Sequence, residues 1–411
     1  MIVKSTNKLS LKQSQNCHKF VQNLILMSDF SKHKFGTKAI HAGADPDPST
    51  GAIMTPIFQT STYVQESPGT NKGYGYARGK NPTREALQKN IAALENGKHC
   101  VCFSSGMGAT DAVMRMLRPG DEVITGDDLY GGSYRMFTKI YENYGIKFHF
   151  INLTDANNIT RYINANTKLI WAETPTNPTM QIIDIEACAK IAKANKLILA
   201  VDNTFASPYL QNPLALGADI VMHSVTKYLG GHSDVVMGAL VTNDDKLHEQ
   251  IYFILNSCGA NPGPMDCFLV MRGIKTLHLR MERHCFNGRK IAEFLKTHPR
   301  IEKIYWPGFT DHPNHEIAKK QMRDFGGMIS IVLKGANLEQ TFKIASSFKV
   351  FSLAESLGGV ESLINHPVTM THASIPKAER DKAGVVDNLL RLSVGVEDVE
   401  DLIEDLKQAL A

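Results

Sequence analysis

From about Leu87 onward the chain alternates two hydrophobic rhythms. Apolar residues at helical spacing occupy 87–94, 109–117, 133–144 and 185–194. Between them lie short, mainly apolar runs at 100–103, 122–125, 147–152, 168–172, 197–201 and 219–223. The first rhythm predicts amphipathic helices, and the second predicts strands buried on both faces. Turn residues punctuate them: Gly97, Ser104-Ser-Gly-Met-Gly108, Pro119-Gly-Asp121 and the proline-rich 174–178. Strands alternating with helices imply an α/β fold, a mostly parallel sheet covered on both faces.

After Gly259 the texture changes. The spacing predicts one long helix over 265–283, helices at 289–296 and 340–347, strands at 301–305 and 327–334, and a final amphipathic helix at 400–409. This reads as a smaller α+β domain. The expected organisation is an untied extension over 1–27, an N-terminal arm over 28–80, a large domain over 81–278 and a small C-terminal domain over 279–411. No internal repeat or low-complexity tract interrupts it.

Length and charge narrow the class. The 411 residues carry 45 Lys and Arg against 41 Asp and Glu, and the net charge of +4 matches the four Lys of the acid-free segment 1–27. The rest is balanced, which argues against a nucleic-acid or membrane-surface protein. Segment 1–27 is basic and acid-poor like a transit peptide, but it lacks Arg and its apolar part is short. An untied extension is the expectation, with Met27 as an alternative start. No run approaches a membrane span of about 20 apolar residues. Seven cysteines show no zinc-site spacing, so no metal is expected, and reduced thiols in a cytoplasmic chain are.

Open α/β sheets bind ligands beyond the carboxyl ends of their strands. Past 100–103 comes Ser105-Gly-Met-Gly108, opening a helix. It is an ordinary tight turn by itself, and a phosphate cradle if backbone N–H groups face a ligand. Past 197–201 comes Asp202, which can cap the next segment or hold a cation. Past 219–223 comes Lys227, preceded at alternate positions by the hydroxyls of Ser224 and Thr226. A lone Lys ordinarily snorkels to the surface, whereas a desolvated one becomes a nucleophilic amine. Together the lysine, the carboxylate and the phosphate donors form the set that pyridoxal 5'-phosphate (PLP) requires.

The run Ser224-Val-Thr-Lys-Tyr-Leu-Gly-Gly-His-Ser-Asp-Val-Val-Met-Gly238 resembles the PLP attachment signature of the Cys/Met-metabolism enzymes of fold type I. The resemblance extends from about Thr37-Lys-Ala-Ile-His-Ala-Gly43 to the C-terminus. Its further motifs are Tyr76-Ala-Arg-Gly-Lys-Asn-Pro-Thr-Arg84, Asp128-Leu-Tyr-Gly-Gly132, Glu173-Thr-Pro-Thr-Asn-Pro178, Val201-Asp-Asn-Thr-Phe205 and Arg391-Leu-Ser-Val-Gly395. It implies an aspartate-aminotransferase-like large domain. It also implies that Lys227 bonds the cofactor aldehyde and moves protons, Asp202 pairs with the pyridine nitrogen, and Tyr130 stacks on the ring and assists proton transfer. Gly106, Met107, Ser224 and Thr226 would hold the phosphate. Tyr76 and Arg78 of the arm would reach a neighbouring subunit's cofactor, giving a homo-oligomer, a tetramer built from dimers. Arg391, Ser356 and Asn177 would bind the carboxylate of an amino-acid substrate.

The implied function is trans-sulfuration: γ-elimination on cystathionine, giving cysteine, 2-oxobutyrate and ammonia. The alternatives are γ-replacement of an activated homoserine ester by cysteine, or sulfhydrylation of such an ester. Glu355 matches a position that favours γ-chemistry over β-elimination without separating lyase from synthase. Gly75 stands where many relatives carry an acid that contacts the distal amino group. Gly132 stands where methionine gamma-lyases typically carry Cys. A nicotinamide dehydrogenase is disfavoured because no G-x-G-x-x-G opening with a following acid is present. A non-catalytic binding protein is disfavoured by the intact set of Lys227, Asp202, Tyr130 and Arg391.

Overall fold

A computed structural model describes residues 30–411. The expected extension over 1–27 lies outside the described residues. Seven strands form the larger sheet: β1 His99–Phe103, β2 Glu122–Gly126, β3 Lys147–Ile151, β4 Thr167–Glu173, β5 Ile198–Asp202, β6 Ile220–Ser224 and β7 Gly238–Thr242. Their order is β1-β7-β6-β5-β4-β2-β3. The pairs from β6 through β3 are parallel, and β7 runs antiparallel to both β6 and β1. β2 and β7 are buried along their whole length, as strands covered on both faces are.

The second sheet has five strands: β8 Ile301–Tyr305, β9 Met328–Leu333, β10 Ser352–Leu353, β11 Leu363–Asn365 and β12 Leu389–Ser393. Their order is β10-β11-β12-β9-β8. The amphipathic helix Val399–Ala409 packs Leu402 and Leu406 into the apolar cluster behind this sheet, with Ile329, Ile331, Leu390 and Leu392.

Local chemistry explains where the helices begin. Asn81 caps Pro82–Leu94 by accepting from the N–H groups of Thr83 and Arg84, and proline follows at the first helical position. Asp184 caps Ile185–Ala194, and Asn337 with Gln340 forms a reciprocal capping box at the start of Leu338–Ala345.

One expected element is corrected. The helix anticipated over 265–283 is two helices, Pro264–Ile274 and Leu277–Lys296, and the second absorbs the separate helix expected at 289–296. The break has a tertiary cause. The Gly273 carbonyl accepts from Thr276 Oγ1 at 3.1 Å and from Arg280 Nη2 at 2.9 Å. Gly273 also lies so close to the turn at Gly230 that a Cβ there would sit 2.3 Å from the Gly230 carbonyl oxygen.

Residues 43–80 contain no named helix or strand and leave Ile53 and Val64 exposed, at 81% and 96% of full accessibility. No helix among the described residues is long and apolar enough to cross a membrane.

Candidate active site

Three neighbouring strands of the larger sheet end in polar residues on one side. Glu173 closes β4, Asp202 closes β5 and Ser224 closes β6, with Glu173 and Asp202 in register. A cavity of about 680 Å³ opens beyond them. It brings together Lys227, Asp202, Tyr130, Gly106, Met107, Ser224, Thr226, Asn177, Glu355, Ser356 and Arg391. Tyr76 and Arg78 do not line it; they border a separate pocket with Gln59, Ser61 and Asn261.

The helix Gly106–Met114 starts at the wall of this cavity, capped by Ser105, whose Oγ accepts from the Gly108 N–H at 2.9 Å. Gly106 is required by close approach: a Cβ there would lie 2.9 Å from Ser224 Cβ. The helix N-terminus and the end of β6 are therefore pressed together, with their N–H groups and hydroxyls on one rim. Thr204 braces this rim, accepting from the Ser224 N–H at 2.8 Å and donating its own N–H to Asp202 at 3.0 Å. The Thr226 hydroxyl is occupied within the chain, donating to the Met237 carbonyl at 3.2 Å and accepting from the Met237 N–H at 2.9 Å.

Lys227 Nζ donates to Ser356 Oγ at 2.8 Å. Burial, then the charge of Arg391, lowers its pKa to about 8, against the opposing pull of Glu355. Arg391 sits on β12 and is only 2% exposed. Its Nη1 donates to Asn177 Oδ1 and its Nη2 to the Ser356 carbonyl, both at 2.8 Å, while its Nε has no partner among the described residues. Burial pulls its pKa down to about 10.

The acids at the strand ends are also desolvated. Burial raises Asp202 against hydrogen bonds from Thr204 and the charge of His223. Burial raises Glu173 well above the usual carboxylate range, with the Asp202 charge adding to the effect. Asp128, bonded by the hydroxyls of Thr176 and Thr179, is pushed up to about 6, chiefly by burial.

A family model described as Cys/Met metabolism PLP-dependent enzyme matches residues 36–411. A cystathionine beta-lyase of Coxiella burnetii is 51% identical over 381 residues, covering 92% of this chain and 98% of the relative. A cystathionine gamma-lyase of Dictyostelium discoideum is 49% identical, covering 93% and 99%. A cystathionine gamma-synthase of Mycobacterium tuberculosis is 51% identical, covering 91% and 96%. The solved structure of cystathionine gamma-lyase from Lactobacillus plantarum with L-serine superposes with a TM-score of 0.89 at 45% identity, covering 92% and 98%.

The chain belongs to the Cys/Met-metabolism family of PLP-dependent enzymes. Its cofactor is PLP, its fold is that of fold type I, and its chemistry is that of a lyase or transferase of sulfur amino acids.

Three features of the cavity suit PLP. A buried lysine amine of lowered pKa points into it. Asp202 is a buried carboxyl group that makes no salt bridge among the described residues, and burial of its charged form is costly unless a cation meets it; a protonated pyridine nitrogen is such a cation. The rim at Gly106 and Ser224 gathers N–H and hydroxyl donors of the kind that bind phosphate. No group of His, Cys, Asp and Glu among the described residues is arranged to hold a metal ion.

The residue that sequence reasoning passed over is Glu173. It lies within a quoted motif, and the available signal was an acid closing the apolar run 169–172. Its Oε2 accepts from the Tyr130 N–H at 2.9 Å and its Oε1 from the Asn177 N–H at 3.1 Å.

Proposed function

We propose that this enzyme is a PLP-dependent carbon–sulfur lyase that cleaves cystathionine by γ-elimination to cysteine, 2-oxobutyrate and ammonia. The observation that carries this reading is that Lys227, Arg391 and Glu355 line one cavity, with both neighbours close enough to act on the lysine. Arg391 is anchored by Asn177 Oδ1 and the Ser356 carbonyl, and Glu355 adjoins Ser356, whose hydroxyl meets Lys227.

When bound, PLP supplies an aldehyde that takes the substrate amine and a ring that withdraws electrons from the carbon beside it. In this reading Lys227 holds the aldehyde, Asp202 the pyridine nitrogen, Tyr130 covers the ring, and Gly106, Met107, Ser224 and Thr226 hold the phosphate. The Thr226 hydroxyl must then turn from the Met237 carbonyl. Arg391 and Asn177 take the substrate carboxylate, for which a planar guanidinium is suited. Lys227 Nζ, with a pKa near 8, is a free amine in roughly one molecule in ten at neutral pH. It can therefore both remove and return a proton at the substrate carbons. Glu355 provides a negative group for the distal ammonium of a long substrate, which supports a cystathionine-sized amino acid. The sequence departure at Gly75 leaves γ-replacement on a shorter homoserine ester as the second reading.

A paired assay on cofactor-loaded protein decides among the activities named for its relatives. Cystathionine alone is expected to give cysteine and 2-oxobutyrate. Homocysteine and pyruvate would instead make it a β-lyase. Cystathionine formed only from an activated homoserine ester and cysteine would make it a synthase.

A further inference from the structure

We infer that Glu173 is a positioning residue that sets the ring-covering and carboxylate-binding sides of the site from a single carboxylate. It has one oxygen for each side. Oε2 holds the main chain of Tyr130, and Oε1 holds the main chain of Asn177. Tyr130 precedes the helix Gly131–Met136, so its N–H has no helical carbonyl to meet and needs an outside acceptor.

Asn177 is fixed at three points. Its N–H goes to Glu173, its carbonyl accepts from His372 Nε2 at 2.9 Å, and its Oδ1 accepts from Arg391 Nη1 at 2.8 Å. His372 is a buried neutral imidazole, its pKa lowered to about 4 by burial, so it serves as an uncharged strut. Glu173 carries this group across to the main chain of Tyr130, with one oxygen on each residue. It is 5% exposed and stands in register with Asp202. A side chain with two acceptor oxygens is needed there, because an amide would turn an NH₂ toward one of the two N–H groups.

The role assigned to Glu173 rests on Tyr130 and Arg391 acting as proposed above, and the test separates the two. Glu173→Gln and Glu173→Asp are compared with wild type in equilibrium PLP binding to apoenzyme, in KM and kcat for L-cystathionine, and in apoenzyme thermal midpoint. Gln loses one acceptor, and Asp keeps both oxygens but lacks the reach. Both are expected to weaken PLP about tenfold and raise KM about tenfold, with kcat changed less and Asp the milder of the two.

Amide hydrogen exchange on wild-type holoenzyme is the second measurement, for use if either variant fails to fold. The N–H groups of Tyr130 and Asn177 are expected to be protected. Unchanged PLP affinity and KM in a folded Gln variant, or rapid exchange at both amides, overturns the inference. A wild type inert toward cystathionine would instead count against the lyase reading, while the PLP affinities still judge Glu173.

Discussion

Lys227 and Ser356 are hydrogen-bonded, Nζ to Oγ at 2.8 Å, across 129 residues of sequence. Ser356 holds a backbone angle φ of +94°, a region that residues other than glycine seldom enter. Its hydroxyl meets the lysine and its carbonyl meets Arg391. The strained residue thus ties the lysine that follows the larger sheet to the arginine of the smaller one. Strain of about 1–3 kcal/mol persists only where the surroundings over-determine it, and here both polar ends of the residue are engaged.

The first prediction concerns the amine itself. Lys227→Ala is expected to abolish the visible absorption of the lysine-bound cofactor and to lower kcat by at least about a thousandfold, since covalent attachment and proton transfer both depend on it. Absorption spectroscopy with a 2-oxobutyrate assay checks both. Retained turnover would remove Lys227 from the mechanism.

The pH dependence follows from the same group. Only the unprotonated amine attacks an aldehyde, and burial with the Arg391 charge lowers Lys227 to about 8. The rate at which apoenzyme captures PLP should therefore climb about tenfold per unit from about pH 6, then level off above about 8. An ordinary exposed lysine would keep climbing past 10. Stopped-flow absorbance across this range distinguishes the two, and a plateau only near the ordinary lysine value would contradict the desolvation argument.

The strand ends were the legible part of this site, because their chemistry is local. Asp202 closes an apolar run, and Lys227 follows another within three residues. The glycine turn before Gly106–Met114 was legible for the same reason. What local pattern did not carry was pairing over distance. β11 and β12 were not anticipated because β11 has three residues and β12 has a buried arginine in its middle. Arg391 reads as a surface residue by type, and only its partners Asn177 and Ser356, 214 and 35 residues away, make its burial tolerable. β7 begins at Gly238, inside the signature run, so the motif masked the strand. The break between Ile274 and Leu277 is set by Arg280 and Gly230, which no helical periodicity reports. The family motifs named most of the cavity residues in advance. Glu173 was quoted among them without a role, because its two bonds go to main-chain groups that leave no trace in side-chain identity.

Gly106→Ala tests the phosphate rim. The new methyl would sit 2.9 Å from Ser224 Cβ, too close for a carbon contact, and Ser224 is the end of a strand that cannot readily move. Overpacking of this kind costs about 1–3 kcal/mol. PLP affinity should fall about tenfold or more, and equilibrium dialysis of the apoenzyme measures it. Unchanged affinity would place the phosphate elsewhere.

Arg391→Lys tests the carboxylate side. A lysine keeps the charge but cannot span Asn177 Oδ1 and the Ser356 carbonyl while leaving a further N–H for substrate. Loss of a charge-assisted hydrogen bond of about 1.5–3 kcal/mol corresponds to a KM rise of about 10- to 100-fold. PLP absorption should remain, since Lys227 and Asp202 are untouched. A variant with normal KM would show that Arg391 serves the fold alone.

The last prediction asks whose site Arg78 serves. Within one chain Tyr76 and Arg78 border a pocket separate from the Lys227 cavity, and the arm that carries them leaves Ile53, Phe58 and Val64 exposed. Apolar exposure along a segment held to the body near Asn81 and Thr83 suits coverage by a second copy of the chain. If Arg78 completes the partner's site, Arg78→Ala and Lys227→Ala fall in different subunits of that site. Each variant alone should be nearly inactive, the first by poor cofactor retention and the second by loss of the amine. Mixing them so that subunits exchange at random makes half of the dimers hybrid, and each hybrid holds one site with both defects and one with neither. About one quarter of wild-type turnover should therefore return. If the two residues serve the same subunit, every site in the mixture keeps one defect and no activity is recovered. Light scattering on the wild type supplies the companion check, since an active monomer would exclude a shared site.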